Sequence, residues 1–255
     1  MHNQPDQTRR LLLTLPLLAA SSKLFAVSPS AAPAKEHHPV KPGRTLLLKN
    51  ADMIATMDHE RREIRHGSIL IKGNVITAVG KAEELPQQAD EVIDLKGHIA
   101  IPGLINTHHH MYQSLTRVIP PAQDGELFKW ISNLYPIWQK MTPEMIRVST
   151  MMSMAELILS GCTTTSDHLY LYPGGCKLDA SIEAAARMGM RFHASRGSMS
   201  LGQSRGGLPP DSLVEDEAAI LTDTQRVIER YHDARRGSML RIVVAPCSPF
   251  SVTQD

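Results

Sequence analysis

Three histidines in a row, His108, His109 and His110, close an apolar run that reads Pro102-Gly103-Leu104-Ile105-Asn106-Thr107. On a strand, residues i and i+2 point to the same face. His108 and His110 are therefore expected to set two imidazoles side by side at a strand's C-terminal end. Neutral imidazole is a good ligand for zinc, iron or nickel, and two from one strand make half of a metal site. Gln113 lies three residues on, and its amide can both donate and accept, as pairing with a ring carbonyl and a ring N–H requires; a surface-loop role is the alternative. Arg196 follows another apolar run and is a candidate anchor for a carbonyl or anionic oxygen; a helix-cap or surface role is its alternative. His168 and His193 are placed near strand ends, as second-layer donors or satisfied buried histidines. Cys247 has no paired base beside it in the sequence and is not expected to be a nucleophile.

Strands must carry these residues, and the apolar patterns supply them. Thr45–Lys49, Gly67–Ile71, Val75–Gly80 and Val92–Leu95 are β-rich runs, the middle two joined by Lys72-Gly73-Asn74 as a hairpin. Residues 44–97 are thus expected to form a small β domain. From residue 98 the pattern changes to strands alternating with helices. A buried strand is expected over 99–105, then helices near 126–139 and 143–160, with Thr142-Pro143 as a cap-and-proline start. A strand at 162–166, a helix at 179–188, a strand at 190–195, a helix at 214–232 and a strand at 240–245 follow. That alternation implies parallel βαβ units. The fold class expected is α/β, a partial (β/α)8 barrel of about four strands with a small N-terminal β domain. A complete barrel takes about 250 residues, and residues 98–255 are read as its first half. Trp130, Tyr135 and Trp138, on the helix after the first strand, are open between walling a pocket and filling the core.

The remaining features bound the function. The chain has 255 residues, a net charge of +1 and three cysteines, Cys162, Cys176 and Cys247, with no CxxC spacing. Such a balance excludes the basic footprint of a nucleic-acid binder and argues against a disulfide framework. Residues 1–34 carry Arg9-Arg10, an apolar stretch from Leu11 to Ala20, then Lys23 and small residues. This layout is that of an export signal, twin-arginine-like, too short to span a bilayer. It implies a periplasmic protein, with cytoplasmic retention as the alternative. Residues 35–43 read as a linker.

The run Pro102-Gly103-Leu104-Ile105-Asn106-Thr107-His108-x-His110 resembles the first-strand signature of the amidohydrolase superfamily. The extension Met111-Tyr112-Gln113-Ser114-Leu115-Thr116-Arg117 is similar to that of 8-oxoguanine deaminases and hydroxydechloroatrazine ethylaminohydrolases. Ser166–Tyr170, Phe192–Ser200, Gly206–Ser212 and Ala245–Phe250 support the likeness. The resemblance covers roughly residues 44–255. It implies one divalent metal, zinc first with ferrous iron as the alternative, held in part by His108 and His110. It implies Gln113 as a substrate-binding residue and a small heterocycle as substrate. The reaction implied is hydrolytic deamination of a purine-like ring, with an s-triazine amino- or chlorohydrolase as the alternative. The family's further ligands, a His after the fifth strand, a His after the sixth and an Asp after the eighth, have no counterpart here. Nor does its general-acid Glu, so no catalytic acid is assigned. The expectation is accordingly a truncated product, inactive alone, with a non-catalytic fragment as the rival from another class. No nucleic acid or membrane partner beyond export is expected, and homo-oligomerisation is left open.

Overall fold

The computed structural model describes residues 43–254. The expected export signal at 1–34 and nearly all of the linker lie outside the described residues. No helix among the described residues is long and apolar enough to cross a membrane.

The first sheet is built from β1 (Thr45–Ala55), β2 (Glu63–Lys72), β3 (Val75–Lys81) and β4 (Glu91–Asp94), in the order β3-β2-β1-β4. β1 and β2 are antiparallel, β2 and β3 form the expected hairpin, and β4 runs parallel to β1. Gly73 takes a φ of +61° at the hairpin turn, a conformation that favours glycine. β1 is longer than the run Thr45–Lys49 suggests. It continues through Asn50, itself at φ +61°, where the register with β2 shifts. The bulge leaves Leu47, Ala51 and Ile54 buried in this sheet's small core.

The expected single strand over 99–105 is divided instead. β5 (Ile99–Ala100) pairs with β1 in the first sheet, past the boundary expected at residue 97, and β6 (Leu104–Asn106) opens a second sheet. Pro102 lacks a ladder donor, and Gly103 lies so close to Thr163 that a Cβ there would sit 2.3 Å from its side chain. The strand is not buried either: Ile105 is 69% exposed, and Ile99, Ile101 and Leu104 are exposed with it.

The second sheet is wholly parallel, in the order β6, β7 (Cys162–Leu169), β8 (Arg191–Ser198), β9 (Leu240–Pro246). Between its strands lie α1 (Leu127–Trp138) and α2 (Pro143–Leu159), then α3 (Asp179–Met188), then α4 (Glu217–Tyr231). α2 starts where Thr142 Oγ1 accepts from Met145 N–H at 3.3 Å, ahead of Pro143. α4 starts later than the pattern near residue 214 suggests, because Asp216 accepts from the N–H groups of Ala218 and Ala219. One apolar core joins these elements, with Trp138, Tyr112, Phe192, Leu169 and Met154 fully enclosed. It includes Leu169 and Tyr170 at the C-terminal end of β7, Met199 just past β8, and Met111 and Tyr112 in the turn that follows β6.

Candidate functional site

The β6–β7 ladder stops at the pair Asn106–Thr165. Beyond it the chain leaves strand geometry and carries His108 and His110, whose ring centroids are 5.0 Å apart and near perpendicular. The structure thus brings together the two imidazoles that the spacing predicts. The Nδ1 of His110 lies 2.8 Å from the carbonyl oxygen of His168. A carbonyl only accepts, so the proton sits on Nδ1 and the Nε2 lone pair is left for a ligand. This carbonyl–imidazole tie is the outer contact that metal-ligating histidines ordinarily make. Burial pushes the His110 ring down to about 4, so it is neutral over the physiological range.

These residues fit a divalent metal in donor type and protonation state. They supply two of the three or four ligands that a zinc site takes. Among the described residues, no group of three or more His, Cys, Asp or Glu gathers to complete it.

A cavity of about 430 Å³ adjoins the pair, lined in part by Gln113, Ser114, Arg117 and Trp130. Its volume is within the range of small-molecule sites. Gln113 reaches it from the 3₁₀ turn at Met111–Thr116, held there by Trp138 Nε1–H donating to Thr116 Oγ1 at 3.1 Å. The amide nitrogen of Gln113 lies within hydrogen-bond distance of the hydroxyls of Tyr112 and Tyr170, at 3.2 and 3.3 Å. The amide oxygen is the end without a protein partner among the described residues. Trp130 faces the cavity, whereas Tyr135 and Trp138 are buried in the core, so the aromatics of α1 divide between the two roles. Two buried polar atoms at this cavity, Ser114 Oγ and His109 Nδ1, have no hydrogen-bond partner among the described residues. Ser114 follows Gln113 directly but gave no sequence signal of its own.

Arg196 stands elsewhere. It is 2% exposed. Its guanidinium donates to both oxygens of Glu215 at 2.8 and 2.9 Å, to Asp223 at 3.0 Å and to the Gly197 carbonyl, and it stacks on Tyr172 at 4.0 Å. The expectation that it anchors a substrate oxygen is corrected here: its donors are engaged by two carboxylates. His168 is half-buried, its Nε2 donating to the Ala245 carbonyl at 2.8 Å. His193 is exposed. Cys247 is half-buried, and burial raises its thiol above the usual range.

Sequence reasoning missed Asp167. This carboxylate is 1% exposed and accepts the Met111 N–H at 2.7 Å, beside His110. Burial pushes it up to about 7.

The model of the "Amidohydrolase family" matches residues 99–255. The 8-oxoguanine deaminase of Pseudomonas aeruginosa is 44% identical over 191 residues, which is 74% of this chain and 42% of that protein. The hydroxydechloroatrazine ethylaminohydrolase of Pseudomonas sp. (strain ADP) is 38% identical over 195 residues, 73% of this chain and 40% of that protein. Among solved structures, the zinc-complexed atrazine chlorohydrolase from Arthrobacter aurescens TC1 superposes with a TM-score of 0.76 at 34% identity. That match covers 82% of this chain and 48% of the other. The chain therefore spans about two fifths of the length of these curated relatives.

Proposed function

The chain belongs to the amidohydrolase family, and from that premise we propose that it supplies the first two metal ligands and one substrate-facing wall of a metal-dependent aminohydrolase acting on a purine-like ring, 8-oxoguanine first. One observation carries the reading: His110, held by Nδ1 on the His168 carbonyl with Nε2 free, beside the ring of His108. The identity to an 8-oxoguanine deaminase supports the substrate class. The identity to a zinc-complexed chlorohydrolase supports zinc and keeps an s-triazine substrate as the second reading. The twin-arginine-like start adds export to the proposal.

When bound, a divalent ion makes water acidic enough to attack an electrophilic ring carbon near neutral pH. His108 and His110 would hold it. Gln113, with its amide nitrogen tied to two tyrosines, presents an oxygen that can accept a ring N–H and so orient the ring face. Trp130 gives the cavity an apolar wall. Ser114 adds a hydroxyl that can donate or accept. No residue here is assigned the proton transfer to the departing amine.

The test is release of the leaving group by the full-length protein, with and without added zinc: ammonia from 8-oxoguanine, guanine and cytosine, and alkylamine from alkylamino-hydroxytriazines. Zinc-dependent release from 8-oxoguanine is the expected result. Turnover of hydroxytriazines alone would favour the second reading. No turnover of any ring by zinc-loaded protein would end the enzymatic reading. Gln113→Leu is expected to raise KM about tenfold, with kcat changed less, the loss of one hydrogen bond to a substrate.

A further inference from the structure

We propose that Asp167 is a positioning residue: its buried carboxylate shapes the His-x-His segment and so orients the ring of His110. The sheet ladder gives out at Asn106–Thr165, and His110 has φ −130° and ψ 81°, outside regular structure. No ladder hydrogen bond holds the segment from there on. The last residues of β7 replace the ladder with three other bonds. Asp167 Oδ1 accepts Met111 N–H at 2.7 Å, His168 N–H donates to the His109 carbonyl at 2.9 Å, and the His168 carbonyl accepts His110 Nδ1–H at 2.8 Å. Two of these are backbone contacts of His168. The third uses a carboxylate in a place where burying it is costly, with no ion-pair partner among the described residues. A buried acid facing backbone N–H serves the segment whose shape it fixes. With Met111 held, the backbone at His110 is fixed where its ring can reach the His168 carbonyl.

The experiment compares wild type with Asp167→Ala, Asp167→Leu and Asp167→Asn in the full-length protein. Two readouts are used: the imidazole ¹⁵N shifts of His110 in metal-free protein, and zinc affinity by chelator competition. Thermal melts report folding. The Ala and Leu variants, which lack the acceptor, are expected to melt cooperatively, to show mixed His110 tautomers, and to bind zinc 10–100-fold more weakly, the usual cost of losing an outer-layer partner. Asparagine keeps an acceptor oxygen in place and is expected to retain the Nδ1–H tautomer and zinc affinity within about threefold of wild type. A folded Ala or Leu variant with unchanged tautomer and affinity would overturn the proposal. So would failure of both to fold, since a clamp on one segment leaves the rest of the fold standing. The zinc readout rests on the ligand reading of His108 and His110, whereas the tautomer readout does not. If wild type binds no zinc but the Ala variant loses its tautomer, the ligand reading falls and the clamp stands.

Discussion

The ring of His110 is fastened to the backbone of His168, not to its side chain, by an Nδ1–H···O=C bond of 2.8 Å. Replacing the His168 side chain therefore leaves that bond in place. His168→Ala removes the Nε2–H bond to Ala245, which spans β7 to β9, and the ring's packing against His110 and Tyr170. Its expected cost is about 1 kcal/mol of stability, with zinc affinity within about threefold of wild type. His110→Ala, by contrast, is expected to lower zinc affinity by at least about a hundredfold while the protein stays folded. Chelator competition and thermal melts on both variants check the pair. Equal losses of affinity would contradict the backbone assignment.

Two buried groups with opposite shifts contribute to the acid response of the metal-free protein. Asp167 rises from 3.8 to about 7, so its contribution to stability is full below 3.8 and is lost as pH rises toward 7. His110 falls from 6.5 to about 4, so its contribution is full above 6.5 and is lost as pH falls toward 4. Between pH 4 and 7 the two oppose each other. Asp167→Asn deletes the first and exposes the second. Its stability is expected to drop more steeply with acid than that of wild type, by up to about 1.4 kcal/mol per pH unit for one proton. Urea melts at pH 5 and pH 7 measure this, and parallel behaviour of the two proteins would refute it.

Arg196 is predicted to act on stability and not on substrate. It is enclosed between Glu215 and Asp223, with the Tyr172 ring against it. Arg196→Ala is expected to cost about 3 kcal/mol, as breaking a buried ion pair does. Arg196→Lys should recover less than half of that, because an ammonium cannot match the forked contact with Glu215. A loss of substrate affinity at unchanged melting temperature would show the opposite role.

Gly197 lets the end of β8 lie close beside the end of β7. A Cβ there would lie 2.6 Å from His168 Nε2 and from the Leu169 carbonyl. Gly197→Ala is expected to cost about 1–3 kcal/mol through overpacking. It should also disturb the His168 ring, visible as a shift of its ¹⁵N resonances. A melt within 0.5 kcal/mol of wild type would show that the strand yields freely.

Much of this arrangement was legible because its signals are local. Apolar periodicity, Gly-Asn and Thr-Pro punctuation and the His-x-His spacing each lie within a few residues of one another. They gave the parallel βαβ order, the hairpin and the paired imidazoles. The misreadings have longer reach. Arg196 meets carboxylates 19 and 27 positions later, and no local pattern distinguishes such a residue from a substrate anchor. Asp167 meets a backbone N–H 56 positions earlier, a partner that has no side-chain identity to read. The break in the strand over 99–105 was signalled by Pro102-Gly103, but the apolar content on either side suggested continuity. The start of α4 fell to Asp216, a capping residue hidden within an acidic run.

The lacing of the His-x-His segment to Asp167 and His168 also sets a timetable. His110 precedes its anchor by 58 positions, so at ribosomal rates of about 5–20 residues per second the two are made roughly 3–12 s apart. During that interval the histidines are on a nascent chain without the neighbour that gives them their orientation. Orientation of the pair therefore follows the docking of β7 and not the appearance of the histidines themselves.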